Sequence, residues 1–133
     1  MFKITPIQEK TRQKEICQLC GAEYRPEAFA YEMYDIETGD LMGMSQFEVG
    51  EAGYIYDIKE VPSRNDFEAM FILGRTTMNF IDTCGAHVCR AASDAADERL
   101  LRAIGFKPSA DAYAVDMTGM FDGSHCSGEA VKL

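Results

Sequence analysis

Two cysteines three positions apart are the first chemistry the chain offers. Cys17-Gln18-Leu19-Cys20 has the C-x-x-C spacing of redox dithiols and of half a zinc site. A redox pair of this kind sits at a helix N-terminus, where the dipole lowers the thiol pKa. Here the pair runs into Gly21, which reads as a helix stop, so it lies at the negative end, where a thiolate is disfavoured. Zinc needs two further ligands and there is no second C-x-x-C. His87 with Cys89, or His125 with Cys126, would have to be brought close by the fold. Cys84, His87 and Cys89 lie at a predicted helix end and in a strand, where packing accounts for cysteine without a metal. Five unevenly spaced cysteines do not close a disulfide framework, so reduced thiols are expected. A second constellation is Ser63-Arg64-Asn65-Asp66, which fits a capping box with Asp in the acidic position, and Arg64 within it is a phosphate partner by type. Tyr31, Tyr34, Tyr54 and Tyr56 fall in segments of twofold alternation and read as sheet-face packing rather than a proton relay.

These residues must be positioned by the elements around them. Met1 to Thr5 fits a short strand closed by Pro6. Gln8 to Leu19 fits a helix with Ile7, Ile16, Leu19 and Cys20 inward and Gly21 as its left-handed stop. The period then switches to two over Ala28 to Asp35, Leu41 to Val49 and Gly53 to Val61. The joins Glu37-Thr38-Gly39-Asp40 and Gly50-Glu51-Ala52-Gly53 are too short for anything but hairpins, so these strands form a meander. Asp66 to Cys84 carries a stripe of Phe67, Met70, Phe71, Gly74, Thr77, Met78 and Ile81 at helical spacing. Ala86 to Arg90 reads as a strand. Ser93 to Ala103 reads as a helix with Ser93 as N-cap, acids Asp94, Asp97 and Glu98 at its start, Arg99 and Arg102 near its end, and Gly105 beyond. Lys107 to Met117 is a last strand, and residues 118–133 form a Gly/Ser-containing tail.

The strand-helix-strand unit from Gly53 to Arg90 requires two parallel strands joined by a right-handed crossover. The expected fold is therefore α/β (α+β): a mixed, mostly antiparallel sheet with one central parallel β-α-β unit, in a single domain over residues 1–117. The length, 133 residues with 47% apolar and 26% charged, suits one globular core. Thirteen basic against 22 acidic residues give a net charge of −9, which argues against nucleic-acid or anionic-membrane partners. No apolar run approaches a membrane span and the N-terminus lacks a secretory apolar region, so a cytoplasmic protein is expected.

The element order, with Ser93 to Pro108 (SDAADERLLRAIGFKP) and Gly53 to Pro62 (GYIYDIKEVP), resembles the GNAT family of acetyl-CoA-dependent N-acetyltransferases. In the family signature an Asn, an Ala and a Leu-Tyr pair precede Gly-Phe. Leu100, Gly105 and Phe106 match, while Asp94, Asp97 and Leu101 stand at the Asn, Ala and Tyr positions. The resemblance implies transfer of an acetyl group from acetyl-CoA to a small amine by direct attack. It implies Glu60, at the end of the fourth strand, as general base, with Asp57 on the alternate face. Backbone around Lys59 to Val61 would hold the pantetheine arm, and Ser63, Arg64 and Asn65 would face the pyrophosphate.

Three departures bear on that implication. The segment Val61 to Phe67 has none of the small residues that let backbone N–H groups wrap a pyrophosphate, and Asp66 places a negative charge there. Leu101 cannot protonate a departing thiolate. Gly21 to Glu27 is too short for the family's second helix, leaving the acceptor cleft open or completed by a second copy in a homodimer. The tail also reads as too short for a normal final strand. The competing expectation is a GNAT-like fold used for ligand binding or dimerisation without chemistry. A metal or redox protein built on Cys17 and Cys20 is the third.

Overall fold

The computed structural model of the protein describes residues 1–110 and 112–121. Along the chain run β1 (Phe2–Pro6), α1 (Lys10–Cys20), β2 (Phe29–Asp35), β3 (Leu41–Val49) and β4 (Gly53–Glu60). They are followed by α2 (Phe67–Thr83), β5 (Val88–Ala91), α3 (Glu98–Ile104), β6 (Lys107–Ser109) and β7 (Ala112–Asp116). The strands make one seven-stranded sheet in the order β1-β2-β3-β4-β5-β7-β6. All neighbours are antiparallel except β4 and β5, which α2 joins as a parallel crossover. The mixed, mostly antiparallel sheet expected from the sequence is what the chain forms.

Helix α1 stops at Gly21, whose φ of 76° and bonds back to Cys17 and Gln18 make the expected left-handed end. Its inward face is Gln13, Ile16, Cys17 and Cys20. Leu19 is a correction: it is exposed, because the buried stripe falls on the i, i+3, i+4 positions from Gln13 and Leu19 lies off it. Helix α2 presents Ala69, Met70, Leu73, Gly74, Thr77, Met78 and Ile81 to the sheet, with Phe67 and Phe71 at the margin. It lies close enough that a Cβ at Gly74 would come within 2.9 Å of Ile104 on α3, and one at Gly53 would collide with Ile81. Both glycines are therefore conditions of the packing.

The second half departs from expectation in two places. The third helix begins at Glu98, not after Ser93. Residues 92–95 instead bond to β4, Ala92 N–H to Ile55 O at 3.0 Å and Ile58 N–H to Ala95 O at 2.8 Å, and close on themselves through Ala95 N–H to Ala92 O at 3.0 Å, so this backbone is a turn held against the sheet. Asp97 becomes the N-cap. The single strand expected over Lys107 to Met117 is a hairpin, β6 and β7, turning at Ala110 (φ 54°). The last strand of the hairpin, β7, is seated between β5 and β6. Residues 118–121 turn beyond it, and the rest of the tail, with His125 and Cys126, lies outside the described residues.

Candidate functional site

Strand β5 pairs with β4 only from Gly53 to Ile55, opposite Cys89 to Ala91. There β5 ends, while β4 runs on to Glu60. A register shift between Gln46 and Phe47 places Gln46 opposite Asp57 and Phe47 opposite Ile55, so Tyr56 bulges at the point of separation. Residues 92–95 bridge the vertex through the two backbone bonds to Ile55 and Ile58. Past Ile58 the edge of β4 is open. Val61 N–H donates to Met42 O at 2.9 Å, which fixes the odd residues as those bonded to β3. Alternation then turns the C=O of Ile58 and the N–H and C=O of Glu60 away from β3. They face a cleft of about 240 Å³ lined by Ile58, Lys59, Glu60, Phe67, Met70 and Arg99, with Asn65 and the start of α3 at its margin.

Two helix starts frame this cleft, and a carboxylate caps each. Asp66 Oδ1 accepts from Ala69 N–H at 3.0 Å, and Asp97 Oδ1 accepts from Leu100 N–H at 2.8 Å. Glu60 Oε2 accepts from Asp66 N–H at 2.6 Å, tying the end of β4 to the start of α2. The capping box expected from Ser63 is therefore corrected: Asp66 is itself the N-cap, and Glu60 supplies the second carboxylate from six residues upstream. The cations are mostly committed. Lys59 Nζ donates to Asp94 O, Arg64 pairs with Asp40 at 3.1 Å, and the Arg99 guanidinium lies 3.8 Å from the Phe67 ring centroid.

The opposite face of β4 holds a polar cluster beneath α1. Gln46 is its hub. Its Oε1 accepts from Gln13 Nε2 (3.0 Å) and Arg25 N–H (3.1 Å), and its Nε2 donates to Glu23 O and to Asp57 Oδ2, both at 2.8 Å. Asp57 is only 5% exposed, and burial holds its carboxyl above the usual carboxylate range. The Arg25 guanidinium lies 3.8 Å from Asp57 and 4.4 Å over the Tyr56 ring, and its buried Nε has no hydrogen-bond partner. Tyr56 donates to Glu48 at 2.7 Å, a bond that with burial pushes the phenol up to about 12.

Of the residues expected at the site, the fold brings Lys59, Glu60 and Asn65 to the cleft. Val61 packs against the apolar cluster beneath α1, and Arg64 is turned to Asp40. Asp57 lies on the opposite face. Phe67, Asp97, Arg99, Gln46 and Arg25 were not singled out from sequence as site residues. Asp97, three before the first buried residue of α3, carried a legible cap signal. Gln46, a polar residue inside an apolar alternating run, was a legible anomaly. Leu101 is fully buried in the core. Cys17 and Cys20 are buried, which pushes their thiols up to about 11 and about 12, away from redox duty. Among the described residues no cluster of His, Cys, Asp and Glu is arranged to hold a metal. His87 instead meets Asp82 at 2.6 Å, and Cys84, expected to be packed in the core, is exposed. No helix among the described residues is long and apolar enough to cross a membrane.

A central parallel strand pair that stops short, leaving a cleft between the helices that follow its two strands, is the architecture of the GNAT fold, and the chain has that fold. No protein-family model and no curated protein sequence matches it. Solved structures do. It is similar to a GNAT family acetyltransferase from Brucella melitensis in complex with acetyl-CoA, with TM-score 0.67, 13% identity and 87% and 88% of the two chains covered. It is similar to the ribosomal-protein-S18-alanine N-acetyltransferase of Escherichia coli, with TM-score 0.67, 14% identity and both chains covered in full. A third is the PaiA N-acetyltransferase of Thermoplasma acidophilum in complex with coenzyme A, at TM-score 0.63, 10% identity and coverage of 86% and 96%.

Proposed function

We propose that the protein is an acyltransferase that moves an acetyl group from an acetyl-CoA-type thioester to a small amine. The observation that carries this reading is the open edge of β4, where the C=O of Ile58 and the N–H and C=O of Glu60 face the cleft. An extended amide-bearing arm completes such an edge as an added strand would. In this reading the pantetheine amides pair with the β4 edge around Lys59 to Val61, chiefly Glu60, and the thioester lies near the vertex below residues 92–95. Asn65 borders the arm, and Ser63 and Arg64 stay at the mouth.

The amine nitrogen attacks the thioester carbonyl carbon, the C–S bond breaks, and the ammonium proton passes to a carboxylate. Two carboxylates flank the edge. Glu60 faces the cleft but holds the start of α2. Asp57 lies at the vertex on the other face, and burial raises its affinity for a proton, so the base is assigned to Asp57 with Glu60 as the positioning residue. Leu101 supplies no proton, so the leaving thiolate is protonated by solvent.

One observation favours a second reading, a GNAT-fold domain that binds without transferring: carboxylates already occupy both helix starts at the cleft. Calorimetric titration with acetyl-CoA separates the two from the outset. Binding followed by coenzyme A release in the presence of an amine panel supports transfer, and the absence of binding at millimolar ligand sinks it. With an accepted amine in hand, Asp57→Asn should lower kcat by about a hundredfold, in line with loss of a general base, while Glu60→Gln should lower it far less.

A further inference from the structure

The cleft mouth is the kind of place where a diphosphate is held elsewhere, since two helix N-termini and several cations surround it. In this chain several of those groups are already used. At α2, the Ala69 N–H is taken by Asp66 and the Asp66 N–H by Glu60. At α3, the Leu100 N–H is taken by Asp97. Glu68 and Glu98 add negative charge to the first turns of the two helices. Lys59 and Arg64 are engaged by Asp94 O and Asp40, which leaves Arg99, stacked on Phe67, as the cation facing the cleft. No glycine between Val61 and Phe67 allows the backbone to wrap an anion. The neutral part of the cleft is the opposite case: an unpaired strand edge beside Ile58, Phe67 and Met70.

We infer that this site recognises its donor through the acyl-pantetheine arm alone and leaves the phosphates of a coenzyme A donor in solvent, so that S-acyl pantetheine is bound as a full equivalent. The inference rests on the acyltransferase reading and narrows it to a class of donor. Its physical content is that amide pairing along β4 and apolar contact supply the affinity. The charged half of the donor meets carboxylates at both helix starts and gains little against water.

The test is a pair of calorimetric titrations on the full chain, with acetyl-CoA and with S-acetylpantetheine. Dissociation constants within about tenfold of each other are expected, the allowance being a single contact to phosphate through Arg99. Acetyl-CoA binding more than about tenfold tighter overturns the inference and leaves the acyltransferase reading standing. Binding of neither overturns both. The double variant Asp66→Asn/Asp97→Asn keeps both caps, because Asn caps helices as well as Asp, and removes two charges. It should tighten acetyl-CoA by about threefold to tenfold and leave S-acetylpantetheine unchanged. An unchanged ratio of the two affinities in this variant overturns the electrostatic reason given.

Discussion

The two faces of the sheet are built on different principles. Under α2 and α3 the contact is almost wholly apolar: Leu73, Met78, Ile81, Leu101, Ile104 and Phe106 are fully buried there, and the glycines at 53 and 74 let the layers close. Under α1 the apolar cluster is small, with Ile16, Cys17, Cys20, Ala30 and Met44, and beside it sits the hydrogen-bonded set of Gln13, Gln46, Arg25 and Asp57. The first face is tolerant in chemistry and strict in volume. The second is strict in chemistry, because each of its buried polar groups depends on a partner. The proposed reaction uses both: the arm on the apolar side, and the base on the polar side.

Three substitutions would sharpen or break that contrast. The largest effect is expected on the apolar face, where Leu73→Ala should lower unfolding free energy by about 2–5 kcal/mol through lost transfer energy and a cavity. Urea denaturation measures it, and a loss below about 1 kcal/mol would mean the face is not packed as described. On the polar face, Gln46→Leu, which keeps most of the volume, should cost about 2 kcal/mol by stripping partners from Gln13 and Asp57. If Gln46→Leu proves as stable as the parent, the contrast between the faces fails.

The smallest effect is one of pH. Burial raises the Asp57 carboxyl in the folded state, so the proton it binds stabilises the fold at low pH. That contribution is fully present below the unfolded value and is lost as pH rises through the raised folded one. Asp57→Asn does not titrate. The destabilisation it causes should therefore be smaller at pH 7 than at pH 4, in paired denaturation curves, and the reverse order would show that Arg25 and Gln46 outweigh burial.

Much of the fold was legible because local signals and global topology agree. Leu41 to Val49 alternates between two glycine-bearing turns and is a strand over those residues, and the stripe of α2 had the right period and nearly the right ends. The misread stretches are those where two local answers were equally good. Ser93 and Asp97 are both sound N-caps. What decides between them is the open edge of β4, which captures the backbone of residues 92–95 and postpones the helix. The β6–β7 turn at Ala110 carries no glycine to announce its positive φ. At the site, Ser63 and Asp66 are equally good caps by type, and it is Asp66 that caps α2, with Glu60 accepting from its N–H.

By itself the sequence determined the order of strands and helices as far as α3, the single parallel crossover, and the absence of glycine from Val61 to Phe67, because each depends on residues close together in the chain. Only the tertiary structure decided where the carboxylates go. Glu60 reaches the N–H of Asp66, and Asp57 meets Gln46 from β3 and Arg25 from the loop after α1, contacts that pair distant segments through a strand bulge. The alternation of backbone groups along β4, fixed by the bond from Val61 to Met42, likewise exists only once β3 is in place. Spacing along a chain sets which residues share an element, but register between elements sets which of them meet.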